Sequence, residues 1–469
     1  MNYFTFYGII IENRKRLFMN PNIFREYDIR GIYPNEINEN IAYTIGKSYG
    51  SYLREKLNQT TCIVSYDNRL SSPSLAAYLT KGITDSGLNV YNYGLTTTPM
   101  HYYARFIHNL YGVMVTASHN PKDDNGFKFS FDNLANARGE MIEDFKNYTL
   151  AGNFLTGNGT VSSGNITEKY VEYLRYGVEF GRRKRKVILD LGNGTTSIIA
   201  RKIFEKVNVD FEILFEESDG NFPNHHPDPN VEANLEALKK TVLAKKADLG
   251  LAFDGDGDRL GIVNEKGQVV PSDHFMILII RDIINKVKNK TFLFDVKCSK
   301  AVEDEIKRLG GTPVCYRTGA SYTQAKVKED DMPFGGEYSG HFYFRDKIAD
   351  VGSGIYAGLR LIEILSKTNQ SLSELLADIP KYYSTPEIKF PSPDDKKFEV
   401  IRMIKEFCEM QKWSLNTIDG VRANFQTGWA LVRASNTGPN ITMRCEATDE
   451  AGLKNLQTIF TNLVNAYNK

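Results

Sequence analysis

The sequence has few cysteines, no excess of either charge and no long apolar segment. Its five cysteines are scattered, odd in number and without CxxC spacing, so we expect neither a disulfide framework nor a cysteine zinc site. With 58 basic and 57 acidic side chains, the formal net charge is +1, which does not indicate a nucleic-acid or membrane partner. These features predict a cytoplasmic protein with free thiols. The cysteines are Cys62, Cys298, Cys315, Cys408 and Cys445.

The amino terminus carries a short apolar run that could be mistaken for a signal peptide. The run from Phe4 to Ile11 is too short for a bilayer span, no basic region precedes it and no small-residue cleavage site follows. Met19 stands shortly before the first motif. Two alternatives stay open for residues 1–18: they belong to the native protein, or they are an extension or a misassigned start.

Length and patterning predict several domains. A chain of 469 residues exceeds what one hydrophobic core usually covers, so we expect three or four domains. Short apolar strands, such as Thr61–Tyr66 and Leu249–Phe253, alternate in three stretches with amphipathic helices, such as 196–207. This alternation favours three similar α/β domains with largely parallel sheets. A Pro-rich, charged stretch over 382–397 is typical of a linker, and a smaller α+β unit follows it. The predicted domains are I (1–162), II (163–266), III (267–382) and IV (383–469).

The first segment that can carry chemistry is TASHNP (116–121). It follows a predicted strand, so the hydroxyl of Ser118 is expected at a strand end, exposed to a cleft. Serine, asparagine and proline also form ordinary turns, and the hexapeptide alone fits a turn equally well. A Ser–His–Asp hydrolase is less consistent, because no G-x-S-x-G elbow is present and His119 adjoins Ser118 in sequence.

The second segment, DGDGDR (254–259), follows a predicted buried strand. Asp254, Asp256 and Asp258 alternate with glycines, so three carboxylates can converge on one hard cation. An EF-hand calcium loop shares this spacing, but Arg259 stands where its sharp turn needs glycine, and we predict flanking strands, not helices. A solvated acidic loop is the other alternative. Three carboxylates would leave the cation room for an anionic fourth ligand such as a phosphoryl oxygen.

Three further segments place polar and charged side chains on turns. GEYSGH (336–341) offers a carboxylate, a hydroxyl and an imidazole, which suit sugar hydroxyls but also fit a polar hairpin. RASNTGP (433–439) offers an arginine fork with hydroxyls between two predicted strands, which suits a phosphate. FREYDIRG (24–31) adds two arginines and a tyrosine, although a surface salt-bridge cluster would have the same composition.

Taken together and in this order, the segments resemble the α-D-phosphohexomutase family, most closely its bacterial phosphomannomutase/phosphoglucomutase branch. The resemblance runs from about residue 22 to the end of the chain. It implies four domains in a heart-shaped arrangement around one cleft, with one loop from each domain. It also implies an intramolecular phosphotransferase that interconverts hexose 6-phosphate and hexose 1-phosphate, of mannose, glucose or both, through a phosphoserine and a hexose 1,6-bisphosphate.

The resemblance also implies the roles of individual residues, with Mg²⁺ as cofactor and hexose 1,6-bisphosphate as activator. The catalytic residues it implies are Ser118, Lys128, Arg259 and His341, and the metal ligands are Ser118, Asp254, Asp256 and Asp258. The residues implied for sugar hydroxyls are Glu337 and Ser339. Those implied for the non-reacting phosphate are Tyr27, Arg30, Lys297, Arg433, Ser435, Asn436 and Thr437.

One position departs from the family pattern, and alternatives stay open. The branch commonly has histidine at the position of Ala320, so one substrate-contacting imidazole is missing and the sugar preference is not fixed.

Phosphoglucosamine mutase is a near alternative function, although that branch typically has glutamine at the position of Tyr338. A haloacid-dehalogenase-like phosphatase would use Asp254 as nucleophile but needs a short hydroxyl residue at the position of Asp258. A non-catalytic sugar-phosphate sensor is the last alternative, and either a monomer or a dimer is compatible.

Overall fold

The computed structural model describes residues 19–349, 351–435 and 438–469. Within these ranges the chain forms three α/β units and then one α+β unit, as predicted. The expectation for residues 1–18 falls outside the described residues, and the domain limits given above stay predictions. No helix in the described ranges is both long and apolar enough to cross a bilayer.

The first α/β unit is built around a six-stranded sheet. Its elements are β1 (Ile29–Ile32), α1 (Glu39–Leu57), β2 (Thr61–Tyr66), α2 (Ser72–Asp85), β3 (Asn89–Leu95), α3 (Thr98–His108), β4 (Gly112–Val115), β5 (Asp124–Phe129), α4 (Glu140–Ala151) and β6 (Val161–Ser163). The strands lie in the order β1-β5-β4-β2-β3-β6. β2 is parallel to β3 and β4, whereas β5 is antiparallel to β4 and β1.

The second unit has a five-stranded sheet in the order β11-β10-β9-β7-β8. Its elements are α5 (Thr167–Tyr176), β7 (Arg185–Asp190), α6 (Ala200–Phe204), β8 (Val209–Leu214), α7 (Glu236–Lys245), β9 (Leu249–Phe253), β10 (Leu260–Asn264) and β11 (Val269–Val270). The helix predicted over 196–207 is wrong in part, because a 3-10 turn at Thr195–Ile198 precedes the short α6. The cause is a tertiary contact, since the backbone N–H of Thr195 donates to the carbonyl of Gly255 at 2.9 Å.

The third unit has the strand order β13-β12-β14-β15-β16. Its elements are α8 (Ser272–Ile283), β12 (Thr291–Asp295), α9 (Lys300–Arg308), β13 (Thr312–Tyr316), α10 (Ala320–Glu329), β14 (Phe334–Gly336), β15 (Phe342–Phe344), β16 (Val351–Gly352), α11 (Gly354–Ser366) and α12 (Leu372–Leu375). The glycine-bearing face of α11 packs onto the second unit, where Gly358 faces the side chain of Leu251. One continuous apolar core therefore runs through the second and third units.

The fourth unit is a sheet of six antiparallel strands with two helices. Its elements are β17 (Tyr383–Ser384), β18 (Ile388–Pro391), α13 (Lys397–Met410), β19 (Ser414–Asn416), β20 (Val421–Phe425), β21 (Gly428–Ala434), β22 (Asn440–Ala447) and α14 (Glu450–Tyr467). The predicted linker over 382–397 is wrong in this respect, because β17 and β18 both pair with β22. Proline and exposed charges are tolerated there because the two strands lie at the edge of the sheet.

In each α/β unit, the loop identified from the sequence lies where the sheet changes from parallel to antiparallel pairing. β4 is parallel to β2 and antiparallel to β5, β9 is parallel to β7 and antiparallel to β10, and β14 is parallel to β12 and antiparallel to β15. TASHNP, DGDGDR and GEYSGH connect these three antiparallel pairs. Ligands of open α/β sheets bind beyond the carboxyl ends of the parallel strands. The three loops are thus presented at equivalent edges.

Candidate active site

The four loops converge on one cleft with a volume of about 570 Å³. Residues from all four units line it, so the cleft exists only in the assembled chain. Eleven of the residues predicted for the site are among those that line it: Tyr27, Arg30, Ser118, Lys128, Arg259, Lys297, Glu337, Ser339, His341, Arg433 and Ser435. Two others, Asn436 and Thr437, lie outside the described residues.

Ser118 stands just beyond the end of β4 in a conformation that side chains seldom adopt. Its φ angle is 54°, in the left-handed region that costs a non-glycine residue free energy, and such residues cluster at functional sites. Its N–H donates to Oγ1 of Thr116 at 2.8 Å, and its Oγ donates to Oδ2 of Asp254 at 3.0 Å. The hydroxyl is therefore held at the junction of the first two units, beside the acidic loop.

The backbone around Ser118 is fixed by a buried arginine that sequence reasoning did not assign to the site. Arg69 has no exposed surface, and its guanidinium donates to four carbonyl oxygens of the serine loop. Those acceptors are Ser118 at 2.8 Å, Asn120 at 2.7 Å, Pro121 at 2.5 Å and Asp124 at 2.9 Å. Because five N–H donors in a rigid fork match several carbonyls at once, the loop is held in one conformation.

The three aspartates of DGDGDR lie directly behind the cleft and form a compact oxygen cluster. Their carboxylates each place one oxygen within 4.8 Å of the others, and their exposure is 0%, 0% and 4%. Among the described residues, no hydrogen-bond donor reaches Oδ1 of Asp256, although that atom is buried. Strands β9 and β10 flank the loop, which is inconsistent with an EF-hand. An all-oxygen donor set with an unsatisfied buried oxygen fits a hard divalent cation.

A lysine of the first unit and the arginine that ends DGDGDR both contact this cluster. Lys128 on β5 lies between two of the carboxylates, with Nζ 2.7 Å from Oδ2 of Asp256 and 3.0 Å from Oδ2 of Asp258. Nε of Arg259 lies 3.8 Å from Oδ2 of Asp254. The contacts of Lys128 join a strand of the first unit to the acidic loop of the second.

The burial of the cluster shifts its pKa values in opposite directions. Burial and the neighbouring charges of Asp258 and Asp256 raise the pKa of Asp254 well above its usual range. Burial also raises the pKa of Asp258, but the cations Lys128 and His341 outweigh it and hold that pKa well below the usual range. A further positive charge beside Asp254 would favour its ionised form, so a bound cation is favourable at this cluster.

GEYSGH brings a hydrogen-bonded histidine to the same cluster. Nε2 of His341 lies 3.2 Å from Oδ1 of Asp258, while Nδ1 lies 2.9 Å from Oγ of Ser339 and 3.2 Å from Oε2 of Glu337. Burial lowers the pKa of His341, but the carboxylate of Asp258 and the hydrogen bonds to Asp258 and Glu337 raise it to about 9. The imidazole is therefore a cation at neutral pH.

Three further cations that line the cleft each have a carboxylate partner, and one of them, Arg30, also donates to Ala117 and Asn120 of the serine loop. Nε of Arg30 donates to Asp28 at 2.7 Å, and Nε of Arg433 donates to Asp419 at 2.9 Å. The third is Lys297, whose Nζ lies 3.5 Å from Oε2 of Glu387. Arginine forks and a lysine on three different units form a surface suited to a phosphate group.

The fourth unit is fixed against the third beside these cations. The guanidinium of Arg444 on β22 lies 3.8 Å above the ring centroid of Tyr338 and donates to the carbonyl of Lys297. Arg422 stacks on Trp429 at 4.0 Å and donates to the carbonyl of Val296 at 2.7 Å. The position of the fourth unit therefore sets the width of the cleft.

Comparison with known proteins identifies the family. Four family models match successive parts of the chain. They describe phosphoglucomutase/phosphomannomutase α/β/α domain I at residues 21–154, domain II at 168–267, domain III at 271–383 and the C-terminal domain at 387–463. The chain belongs to the phosphoglucomutase/phosphomannomutase family. It is accordingly an intramolecular phosphotransferase of the phosphohexomutase class.

Individual relatives cover nearly the whole chain. A phosphomannomutase/phosphoglucomutase of Pseudomonas syringae pv. tomato is 40% identical over 93% of this chain and 94% of its own length. A phosphoglucomutase of Neisseria meningitidis serogroup A is 36% identical over 94% and 96%. The crystal structure of a family member from Burkholderia thailandensis superposes with a TM-score of 0.88 at 33% identity, covering 96% of this chain and 98% of that one.

Some residues at the cleft or just behind it were given no role from the sequence. Nδ2 of Asn230 donates to the carbonyl of Ser339 at 2.9 Å, and Oγ1 of Thr318 donates to Asp295 at 2.8 Å. Asp295 also accepts the N–H of Tyr338 at 3.1 Å. Its position at the end of a parallel strand is a signal that could have found it. Asn230 and Thr318 lie in loops, and only the fold shows that these loops reach the cleft.

The contacts of Arg69 generate a prediction. Arg69→Lys should lower kcat roughly 10- to 100-fold, because one ammonium cannot hold four carbonyls and a small displacement of Ser118 misaligns the reacting atoms. KM for glucose 1-phosphate should change little. The control is Arg185→Lys, a buried arginine that also donates to carbonyls (Leu365, Thr368 and Gln370) but far from the cleft. The control should lower the melting temperature and spare kcat. Equal kcat in Arg69→Lys and the parent would contradict this role.

Proposed function

We propose that this chain interconverts hexose 6-phosphate and hexose 1-phosphate by carrying a phosphoryl group on Oγ of Ser118. The observation that carries the proposal is the position of that hydroxyl, which lies at the cleft and 3.0 Å from a carboxylate of the acidic cluster. A phosphoryl group on Oγ would extend toward Lys128, Arg259 and His341. All three line the same cleft.

The acidic cluster is the proposed magnesium site. Asp254, Asp256 and Asp258 would hold Mg²⁺, with an oxygen of the phosphoryl group on Ser118 as a further ligand. When bound there, the ion would neutralise charge on the phosphoryl oxygens during transfer. The fit of the donor set supports Mg²⁺ over a soft metal, because no cysteine or histidine belongs to the cluster.

The proposed reaction consists of two transfers in one cleft. In the first, the bond between phosphorus and Oγ of Ser118 breaks as a free hydroxyl of the hexose phosphate forms the new bond. The proton that the hydroxyl loses ends on Oγ. The product is a hexose 1,6-bisphosphate, which turns around so that its other phosphate returns to Ser118 by the reverse of this step. Free hexose 1,6-bisphosphate would activate an unphosphorylated chain in the same way.

The residues proposed to contact phosphate divide into two groups for this reaction. Lys128, Arg259 and His341 lie near Ser118 and would stabilise charge on the reacting oxygens. The second group would grip the phosphate that does not react, and Glu337 and Ser339 would contact sugar hydroxyls. The members of the second group are Tyr27, Arg30, Lys297, Arg433, Ser435, Asn436 and Thr437.

Mannose and glucose phosphates are the proposed substrates. The names of the relatives support both sugars, and no observation favours phosphoglucosamine. Ala320, at the start of α10, lines the cleft, and its methyl side chain cannot form a hydrogen bond with a sugar hydroxyl. A haloacid-dehalogenase-like phosphatase with Asp254 as nucleophile would need a short hydroxyl residue at position 258. Asp258 stands there instead and pairs with Lys128 and His341, which disfavours that alternative.

Substitution of Asp256 by asparagine tests the metal site. The variant should lose Mg²⁺ binding measured by titration calorimetry, because one fewer anionic oxygen faces the ion. Turnover should fall to the level seen in excess chelator. Asp248→Asn, which removes a carboxylate paired with Arg185 in the same unit, should bind Mg²⁺ like the parent. If Asp256→Asn retained the parental affinity, the acidic loop would not be the metal site.

Ser118→Ala tests the phosphoserine. Intact-mass analysis of freshly purified protein should show a population heavier by one phosphoryl group, and this population should be absent from the variant. The variant should fold normally and lose nearly all mutase activity, because it lacks the hydroxyl that lines the cleft and donates to Asp254. A phosphoryl group mapped to an aspartate, or parental turnover in Ser118→Ala, would overturn the proposed function.

A further inference from the structure

Glu387 is an acidic residue within a surface that otherwise suits a phosphate. It lines the cleft, and its carboxylate lies 3.5 Å from Nζ of Lys297. Its pKa is lowered chiefly by the charge of Lys297, against the opposing effect of burial, and Arg433 adds to the lowering. The carboxylate is therefore ionised and acts on two of the cations assigned above to the non-reacting phosphate.

The three carboxylates that pair with these cations differ in accessibility. The side chains of Asp28 and Asp419 are 2% and 8% exposed, and each accepts a hydrogen bond from the Nε of its arginine. The carboxylates of Asp28 and Asp419 therefore fix the guanidinium groups of their arginines in place. Glu387 is 29% exposed and pairs with a flexible ammonium at a longer distance. Of the three, only Glu387 can exchange its cation with a ligand from the cleft at little cost.

The backbone aims Glu387 at the cleft through an irregularity in the sheet. Ser384 pairs with Glu446, and Ile388 pairs with Met443, so the segment between these pairs carries one more residue than its partner on β22. Such a bulge redirects side chains and is frequent beside functional sites. Thr385 is anchored, because its N–H donates to the carbonyl of Cys445 at 2.9 Å. The sheet thus presents the carboxylate on a fixed backbone.

We propose that the carboxylate of Glu387 is a built-in competitor of the non-reacting phosphate for Lys297. When a phosphate binds, it displaces this carboxylate, and when the phosphate leaves, Glu387 takes Lys297 back. The affinity of the cleft for the non-reacting phosphate would then be high enough to orient the sugar and low enough for the bisphosphate to dissociate from Lys297 and turn around. This inference rests on the proposed function of the same cleft, because it assumes that a phosphate binds at Lys297 and Arg433.

The test compares the phosphate affinity of the parent with that of variants in which residue 387 carries no charge. In the presence of Mg²⁺ and at low salt, Glu387→Gln should bind inorganic phosphate and glucose 1,6-bisphosphate roughly two- to fivefold more tightly than the parent, as expected for removal of one partly exposed charge. KM for glucose 1-phosphate should fall, and kcat should not rise, because release becomes slower. Glu387→Ala should also bind phosphate more tightly. A merely structural role would weaken binding in both variants.

Two controls separate this inference from the proposed function. Glu399→Gln removes a carboxylate from an exposed pair with Arg402 in the same unit, 2.5 Å apart, and should leave phosphate binding unchanged. Adding Lys297→Met to Glu387→Gln should abolish the gain in affinity. Unchanged or weaker binding in Glu387→Gln, with Lys297→Met weaker than the parent, would overturn the competitor role alone. Parental phosphate affinity in Lys297→Met would overturn the phosphate site itself.

Discussion

The burial of three carboxylates at one point is the constraint on which the rest of the structure depends. Asp254, Asp256 and Asp258 are almost completely buried, and buried like charges are stable only when cations neutralise them. The protein's own cations reach the cluster from different units, with Lys128 from the first and His341 from the third. The cluster therefore stabilises the mutual arrangement of three units around one cleft.

The way in which the loops meet follows from a topology that repeats in the three α/β units. Each sheet changes from parallel to antiparallel pairing at the strand that precedes its loop, so the loops occupy equivalent edges. The first loop supplies Ser118, the second the acidic cluster and the third His341. The fourth unit has an antiparallel sheet, and its Arg444 stacks on Tyr338 of the third. The proposed chemistry and the proposed phosphate grip thus share one cleft that all four units line.

Much of the fold was predictable from the sequence, because local sequence patterns determine where individual strands begin and end. The strands Thr61–Tyr66 and Leu249–Phe253 were predicted with their observed bounds, since continuous apolar runs mark buried strands. The helix over 196–207 was not, because Thr195 is bound to the carbonyl of Gly255, far away in sequence. Arg69 and Glu387 were missed for the same reason. Their importance comes from partners distant in the chain, and Glu387 lies in a stretch whose prolines suggested a linker.

The most direct test of the account follows the phosphoryl group itself. Protein carrying a radiolabelled phosphoryl group on Ser118 would be mixed with unlabelled glucose 1-phosphate and quenched within one turnover. The account predicts that the label leaves the protein and appears first in the bisphosphate and then in glucose 6-phosphate, because the group on Ser118 becomes the phosphate of carbon 6. Label that stays on the protein during turnover, or is released as inorganic phosphate, would contradict it.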